Sequence, residues 1–187
     1  MILIKTVAVT GYKAFELGIF DQKHIGITYI RKAFRQRLLT LIEEGLEWVI
    51  ISGQLGVELW VAEEVFALKE KSPHLKLAVL TPFLEQESGW KEATQSYYRE
   101  IIAKADFVDS ITKRPYESPQ QLKQKNEFII QKVEGLIVLY DEEKQGSPKY
   151  YLEVAKRESE KREFYLSIIT PYDLNVIIED EQYNSEQ

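Results

Sequence analysis

Cysteine is absent from the 187-residue chain, which excludes disulfides, thiolate metal sites and a cysteine nucleophile, and suits a reducing, cytoplasmic setting. Histidine is nearly absent too. His24 and His74 are the two present, and neither has carboxylate neighbours at ligand spacing, so no metal site is expected. Positive charge is in deficit: 24 Lys+Arg stand against 30 Asp+Glu, for a net charge of −6. Phosphate backbones need clustered cations, and no basic stripe interleaved with aromatics is present, so nucleic acid is a poor partner. Long apolar runs are missing. Stretches such as Leu136–Tyr140 fall far below the ~20 residues of a membrane span. Met1–Val9 is interrupted by Lys5 and precedes no small-residue cleavage site, so it reads as a strand rather than an address. There is no Gly-x-Ser-x-Gly elbow and no visible catalytic triad.

Glycine (9) and proline (6) are few and aromatics make up 12% of the chain, which argues for a packed core and against disorder. A chain of this length fits one domain with a core that needs no staples. We assign residues 1–178 to that domain. Residues 179–187 hold four acids and no base, and read as a solvated, mobile tail.

Short β-branched runs alternate with longer helical patterns. The strand candidates are Leu3–Val9, Trp48–Ile51, Leu75–Leu80, Phe107–Ile111, Leu136–Tyr140 and Phe164–Ile169. Each is a continuous apolar run, as in strands covered on both faces. Helical stripes lie between them: Ile27, Ile30, Phe34, Leu38, Leu41 and Ile42, with Gly45 placed for a left-handed cap; Val57, Val61, Val65 and Leu68; and Trp90, Ala93, Tyr97 and Ile101. Ser118-Pro119 and Ser147-Pro148 each mark a helix start. Arg31, Lys32, Arg35 and Arg37 lie off the first stripe and read as a solvated face. The expected fold is a Rossmann-like, doubly wound α/β domain with a mainly parallel sheet and helices on both faces.

Ligands of such sheets sit beyond the carboxyl ends of the strands. After the first strand come Thr10, Gly11, Tyr12, Lys13 and Glu16, which offer a close-approach glycine, a stacking ring and a cation, or simply a tight turn. After the second, Ser52-Gly53-Gln54-Leu55-Gly56-Val57-Glu58 runs straight into a helix. Its bare loop and unpaired N–H groups favour an anion. The G-x-x-G spacing fits neither the dinucleotide fingerprint nor the P-loop, and Glu58 in the first turn suits dipole capping as well as a ribose hydroxyl. Pro82 turns the chain after the third strand. Arg114 and Tyr116 follow the fourth and suit phosphate or a base, or plain solvation. Asn126 falls on an apolar helical face, where its amide bonds a loop or reaches a ligand. Gly146 and Ser147 open a second helix start, expected to share one anion-holding hollow with Gly53–Gly56.

The segments TGYKAFELGIF, ISGQLGVELW, TPF, RPYESPQQLKQKN and LYDEEKQGSPKY, in this order and spacing, resemble the YpsA-like family of Gram-positive bacteria, within the SLOG (Smf/DprA–LOG) superfamily. The resemblance covers about Lys5 to Asp173. It implies a Rossmann-like fold, a nucleotide-type pocket at the strand ends, a cytoplasmic protein, and a connection with cell division and nucleotide signalling. By position it carries Gly53, Gly56 and Glu58 onto the superfamily's glycine-rich signature and acid, Thr10, Gly11, Tyr12 and Glu16 onto its first-strand motif, and Arg114, Asn126, Gly146 and Ser147 onto later pocket segments. The LOG enzymes have Pro-Gly-Gly-x-Gly-Thr before their catalytic glutamate, where this chain reads Ile-Ser-Gly-Gln-Leu-Gly-Val.

The leading expectation is therefore a regulatory module that binds a nucleotide or an NAD- or ADP-ribose-like ligand, with a cell-division protein as a partner. The alternative is a LOG-like nucleoside-monophosphate N-glycosidase using Glu58. A Smf-like single-stranded-DNA role is disfavoured by the charge. The aromatics suit an interface between copies of the chain or the wall of a cleft.

Overall fold

The structure, a computed structural model, describes residues 2–187. Strands and helices alternate: β1 (Thr6–Thr10), α1 (Ile25–Glu43), β2 (Trp48–Ile51), α2 (Val57–Lys69), β3 (Lys76–Thr81), α3 (Glu92–Lys104), β4 (Phe107–Ser110), α4 (Gln120–Lys132), β5 (Gly135–Leu139), α5 (Pro148–Ser159), β6 (Tyr165–Ile169) and α6 (Pro171–Ser185). A single 3-10 turn, Ala14–Leu17, sits between β1 and α1. The sheet runs β4-β3-β2-β1-β5-β6 and every pair is parallel. This is the expected doubly wound α/β arrangement. Strand order reverses between β1 and β5, so the crevice of such a fold opens at the ends of those two strands and their neighbours.

Parallel pairing requires crossover helices, and right-handed crossovers put helices that progress in opposite directions on opposite faces. Helices α6, α1, α2 and α3 contact one another in that succession, while α4 and α5 pack together. The central strands are accordingly covered on both sides: Val7, Val49, Leu77, Leu136, Ile137 and Val138 are fully buried. Gly45 behaves as expected, with φ of 108°. The Leu46 N–H donates to the Leu41 carbonyl at 2.9 Å and the Gly45 N–H to Ile42 at 3.1 Å, which closes α1 in a Schellman motif. Pro148 occupies the first turn of α5.

Four expectations need correction. β4 and β6 are the edge strands; Phe107 is 50% and Val108 41% exposed and all of β6 but Ile169 is half-buried, so neither apolar run is covered on both faces. In α3, Trp90 precedes the helix, Ala93 is exposed and Tyr98 is the buried aromatic; Trp90 packs edge-on against Tyr98 at 5.1 Å. The cations of α1 are not a merely solvated face. Arg31 and Arg35 each hold the buried Glu64 of α2 at 2.9 Å, Arg37 donates to Ser167 at 3.0 Å and pairs with Asp173 of α6 at 3.4 Å, and Lys32 pairs with Glu181. Residues 179–185 belong to α6. That helix starts on a capping box in which the Asp173 N–H donates to Thr170 Oγ1 at 3.3 Å and the Thr170 N–H to the Asp173 carboxylate at 2.8 Å.

Candidate functional site

The first-strand motif meets the second at Glu58. Its carboxylate is 1% exposed. It accepts from the Ser52 N–H at 2.6 Å and the Ser52 hydroxyl at 2.9 Å, and from the Thr10 hydroxyl at 3.0 Å. Both oxygens are thereby engaged, and the acid fastens the ends of β1 and β2 to the first turn of α2. The Glu58 carboxylate is thus held within the protein and does not line the cleft at the carboxyl ends of β1, β2 and β3. Gly11 permits the same closeness, since a Cβ there would meet the Val57 side chain at 2.7 Å.

The helix start at Gly56 and the one at Gly146 do not share a hollow. Gly56 has φ of 108°, and a Cβ on it would stand 2.5 Å from the Ala14 nitrogen and 2.6 Å from the Tyr12 carbonyl oxygen. A Cβ on Gly146 would stand 2.5 Å from the Glu16 carboxylate and 3.2 Å from the Tyr12 ring. The two turns press on the Tyr12–Glu16 segment from either side. At α5 the anion position is already filled, because Glu16 accepts from the Ser147 N–H at 2.9 Å, the Ser147 hydroxyl at 2.6 Å and the Lys13 N–H at 2.7 Å. Desolvation pushes the Glu16 carboxyl up, but the bonds from Ser147 and the backbone outweigh it and its pKa is lowered.

Tyr12 is equally committed. It is 2% exposed, lies stacked with Tyr140 at 6.4 Å, accepts from the Asp141 N–H at 2.8 Å and donates to the Lys144 carbonyl at 2.6 Å. Burial raises its pKa. The ring pins the loop after β5 and is not free to stack on a ligand.

On the other side of that segment lies a cleft of about 650 Å³ at the carboxyl ends of β1, β2 and β3. The loop after β1 contributes Lys13, Phe15 and Phe20, the loop after β2 contributes Ser52, Gln54, Leu55 and Gly56, and the loop after β3 contributes Pro82, Phe83, Gln86 and Trp90. Trp60, Tyr97, Leu122 and Lys125 complete it from α2, α3 and α4. Its volume and its apolar lining with a few polar groups match small-molecule sites. Three lysines, Lys13, Lys91 and Lys125, face one carboxylate, Asp21, although the whole chain carries −6. The Val57 N–H donates to the Tyr12 carbonyl at 3.2 Å. The Leu55 and Gly56 N–H groups have no partner among the described residues. A second hollow of about 630 Å³ beside β4 carries Glu85, Glu87 and Asp109 against Arg99 and Lys113 and lies off the switch point.

Residues 7–174 match the family described as YspA SLOG family. The chain belongs to the YpsA family of SLOG proteins. UPF0398 protein BH1768 of Halalkalibacterium halodurans is 60% identical over 181 residues, covering 97% of this chain and 96% of the relative. The UPF0398 protein of Bacillus thuringiensis strain Al Hakam and UPF0398 protein BCAH187_A1726 of Bacillus cereus strain AH187 are each 57% identical over 184 residues, covering 98% of this chain and 100% of the relative. The family match takes in β1 from Val7 on, the other five strands and every loop of the cleft.

Of the residues singled out in the sequence, the cleft gathers Lys13, Ser52, Gln54, Gly56 and Pro82. Thr10, Gly11, Tyr12, Glu16, Glu58, Gly146 and Ser147 form the scaffold behind it. Gly53, with φ of 80°, fits under Gln86, whose amide donates to the Ser52 carbonyl at 2.8 Å and to Tyr98 at 3.0 Å. Arg114 does not enter the cleft; it pairs with Glu117 at 3.1 Å in the open. Tyr116 stands outside as well, 54% exposed, with its ring 5.1 Å from Phe83. Asn126 is buried, yet its side-chain oxygen bonds neither a loop nor any other described group.

Sequence reasoning missed Lys125. It is 5% exposed and its ammonium sits 4.7 Å over the Tyr151 ring. Burial pushes its pKa down; the Glu58 charge acts in the other direction and Lys13 reinforces the lowering. Position 125 lies four after Gln121 and four before Ile129, both buried, on the inward side of α4, but in the sequence a lysine there reads as a side chain whose stem reaches water. His24 is accounted for as the cap of α1, accepting from the Gly26 N–H at 2.9 Å. Among the described residues no cluster suits a metal ion, and no helix is long and apolar enough to cross a membrane.

Proposed function

We propose that this protein binds a nucleotide-type small molecule, such as a nucleotide, dinucleotide or ADP-ribose-like compound, in the cleft at the ends of β1, β2 and β3, and acts as a regulator rather than a hydrolase. The observation that carries this reading is the cleft's cationic and aromatic lining within an acidic chain. Leu55 and Gly56 amides at the start of α2 suit phosphate oxygens, Lys13 and Lys91 add charge, and Phe83, Trp90 and Phe20 offer faces to a base. A glycosidase would need Glu58 against the sugar, and that carboxylate is held by Thr10 and Ser52. Ligand occupancy would alter the chain around Phe20 and the loop after β3, and through them a partner surface. A cell-division protein is the partner that the family resemblance suggests.

Thermal melts with a panel of nucleotides and NAD derivatives test the proposal. A ligand at 100 times its Kd stabilises the native state by about 2.7 kcal/mol, a Tm rise of roughly 5–11 °C at this chain length. A melt unmoved by every member of the panel would overturn it. Free base released from a nucleotide, and lost in Glu58→Gln, would restore the enzyme reading.

A further inference from the structure

The three cations of the cleft differ in what surrounds them. Lys13 is half-buried beside the Phe15 ring, 5.8 Å away, and Lys91 is exposed at the mouth. Lys125 is 5% exposed and, among the described residues, its ammonium has no hydrogen bond and no ion-pair contact. Glu58 lies close enough to act on it, but that carboxylate is taken by Thr10 and Ser52. What Lys125 has is the face of Tyr151 at 4.7 Å. A buried ammonium whose N–H groups meet no acceptor costs stability even with a carboxylate nearby, and a group entering the cleft can supply that acceptor.

The surroundings set a direction. The cleft that Lys125 lines also carries the buried Gly56 N–H, unpartnered among the described residues, whereas the Ser52 hydroxyl already donates to Glu58. At its mouth stand Phe15 and Phe20, 64% and 84% exposed. Lys125 is the enclosed cation of the cleft, whereas the mouth carries these aromatic rings together with the exposed Lys91. We propose that Lys125 is the anchor for a phosphoryl group at the inner end of the ligand, so that the guest enters phosphate first and leaves its ring against the aromatic mouth. This rests on the cleft-binding reading and adds the orientation and the residue on which affinity depends. A phosphoryl group completes Lys125 with a charge-assisted hydrogen bond, which a neutral nucleoside does not supply.

The test compares wild type with Lys125→Met, which keeps the apolar stem, and Lys125→Arg, which keeps the charge, by melts and calorimetry with tripolyphosphate, AMP, ADP-ribose and adenosine. Unliganded Lys125→Met is expected to melt no lower than wild type. Its affinity for tripolyphosphate, AMP and ADP-ribose should fall at least tenfold, Lys125→Arg should lose less, and the weak binding of adenosine should be indifferent to either change. In wild type, tripolyphosphate should slow acetylation of Lys125, read by mass spectrometry, a measurement that stands even if a variant fails to fold. AMP bound equally by wild type and Lys125→Met, or Lys125 labelling untouched by tripolyphosphate, overturns the anchor while leaving the cleft reading intact. Lys125-dependent tripolyphosphate binding with no response to AMP or ADP-ribose supports the anchor and removes the nucleotide. No binding of any probe to wild type overturns both.

Discussion

Glu58 and Glu16 occupy the positions where an acid of the family motif is expected, and each is turned inward to hold the protein together. Replacing Glu58 by Gln removes a charged acceptor from two hydroxyls and one buried N–H. Hydrogen bonds to charged groups contribute about 1.5–3 kcal/mol, so a loss of that order in urea unfolding is expected. Glu16 gives a pH signature. Its folded pKa lies below the ordinary 4.5, so its contribution is in place above that value and is lost as pH falls through the lowered one. Wild type should hold its Tm from neutral pH to about pH 5 and then decline. Glu16→Gln should be less stable at pH 7, with the gap closing in acid. Gly56 was legible as a glycine for a physical reason, since its φ of 108° and the backbone 2.5 Å away leave no room for a side chain. Gly56→Ala is therefore expected to shift the Ala14 backbone and weaken any ligand of the cleft. Lys125 was not legible because a lysine on a helix normally reaches water along its stem; only the packing of α4 against α5 closes that route.

Periodicity carried the elements further than it carried their surroundings. Five of the six helices and all six strands follow from apolar spacing and from glycine and proline punctuation, to within a few residues. The edge strands β4 and β6 are less covered than their apolar runs imply, because such a run says nothing of a strand's place in the sheet. The sixth helix was hidden by its acidic end, although Thr170-Pro171 with Asp173 spells a capping box. α1 shows why charge patterning misleads: its cations are polar in composition but bridge to α2 on one side and α6 on the other. Glu64→Ala should cost about 2 kcal/mol, less than for a fully enclosed pair, because Arg31 and Arg35 are 32% and 42% exposed and can rehydrate. A double-mutant cycle with Arg35→Ala should return a coupling of about 0.5–1.5 kcal/mol.

At the scale of the whole molecule, six parallel strands share one core, and unfolding should be a single transition by circular dichroism and fluorescence alike. Removing residues 179–187 leaves the buried Ile177 in place and deletes the Lys32–Glu181 pair. That pair is part-exposed, so truncation should lower stability by no more than about 1 kcal/mol. A larger loss would show that the end of α6 contributes more than its exposure suggests.

The wall formed by Lys13, Ala14 and Phe15 is gripped between Gly56 and Gly146, with Glu16 bolted to Ser147 behind it. Its ordering entropy is therefore lost when the chain folds and not when a guest arrives. That side of the cleft is a rigid template rather than a closing flap, and crystals grown with and without a candidate ligand should superimpose there while differing, if anywhere, around Phe20 and Trp90.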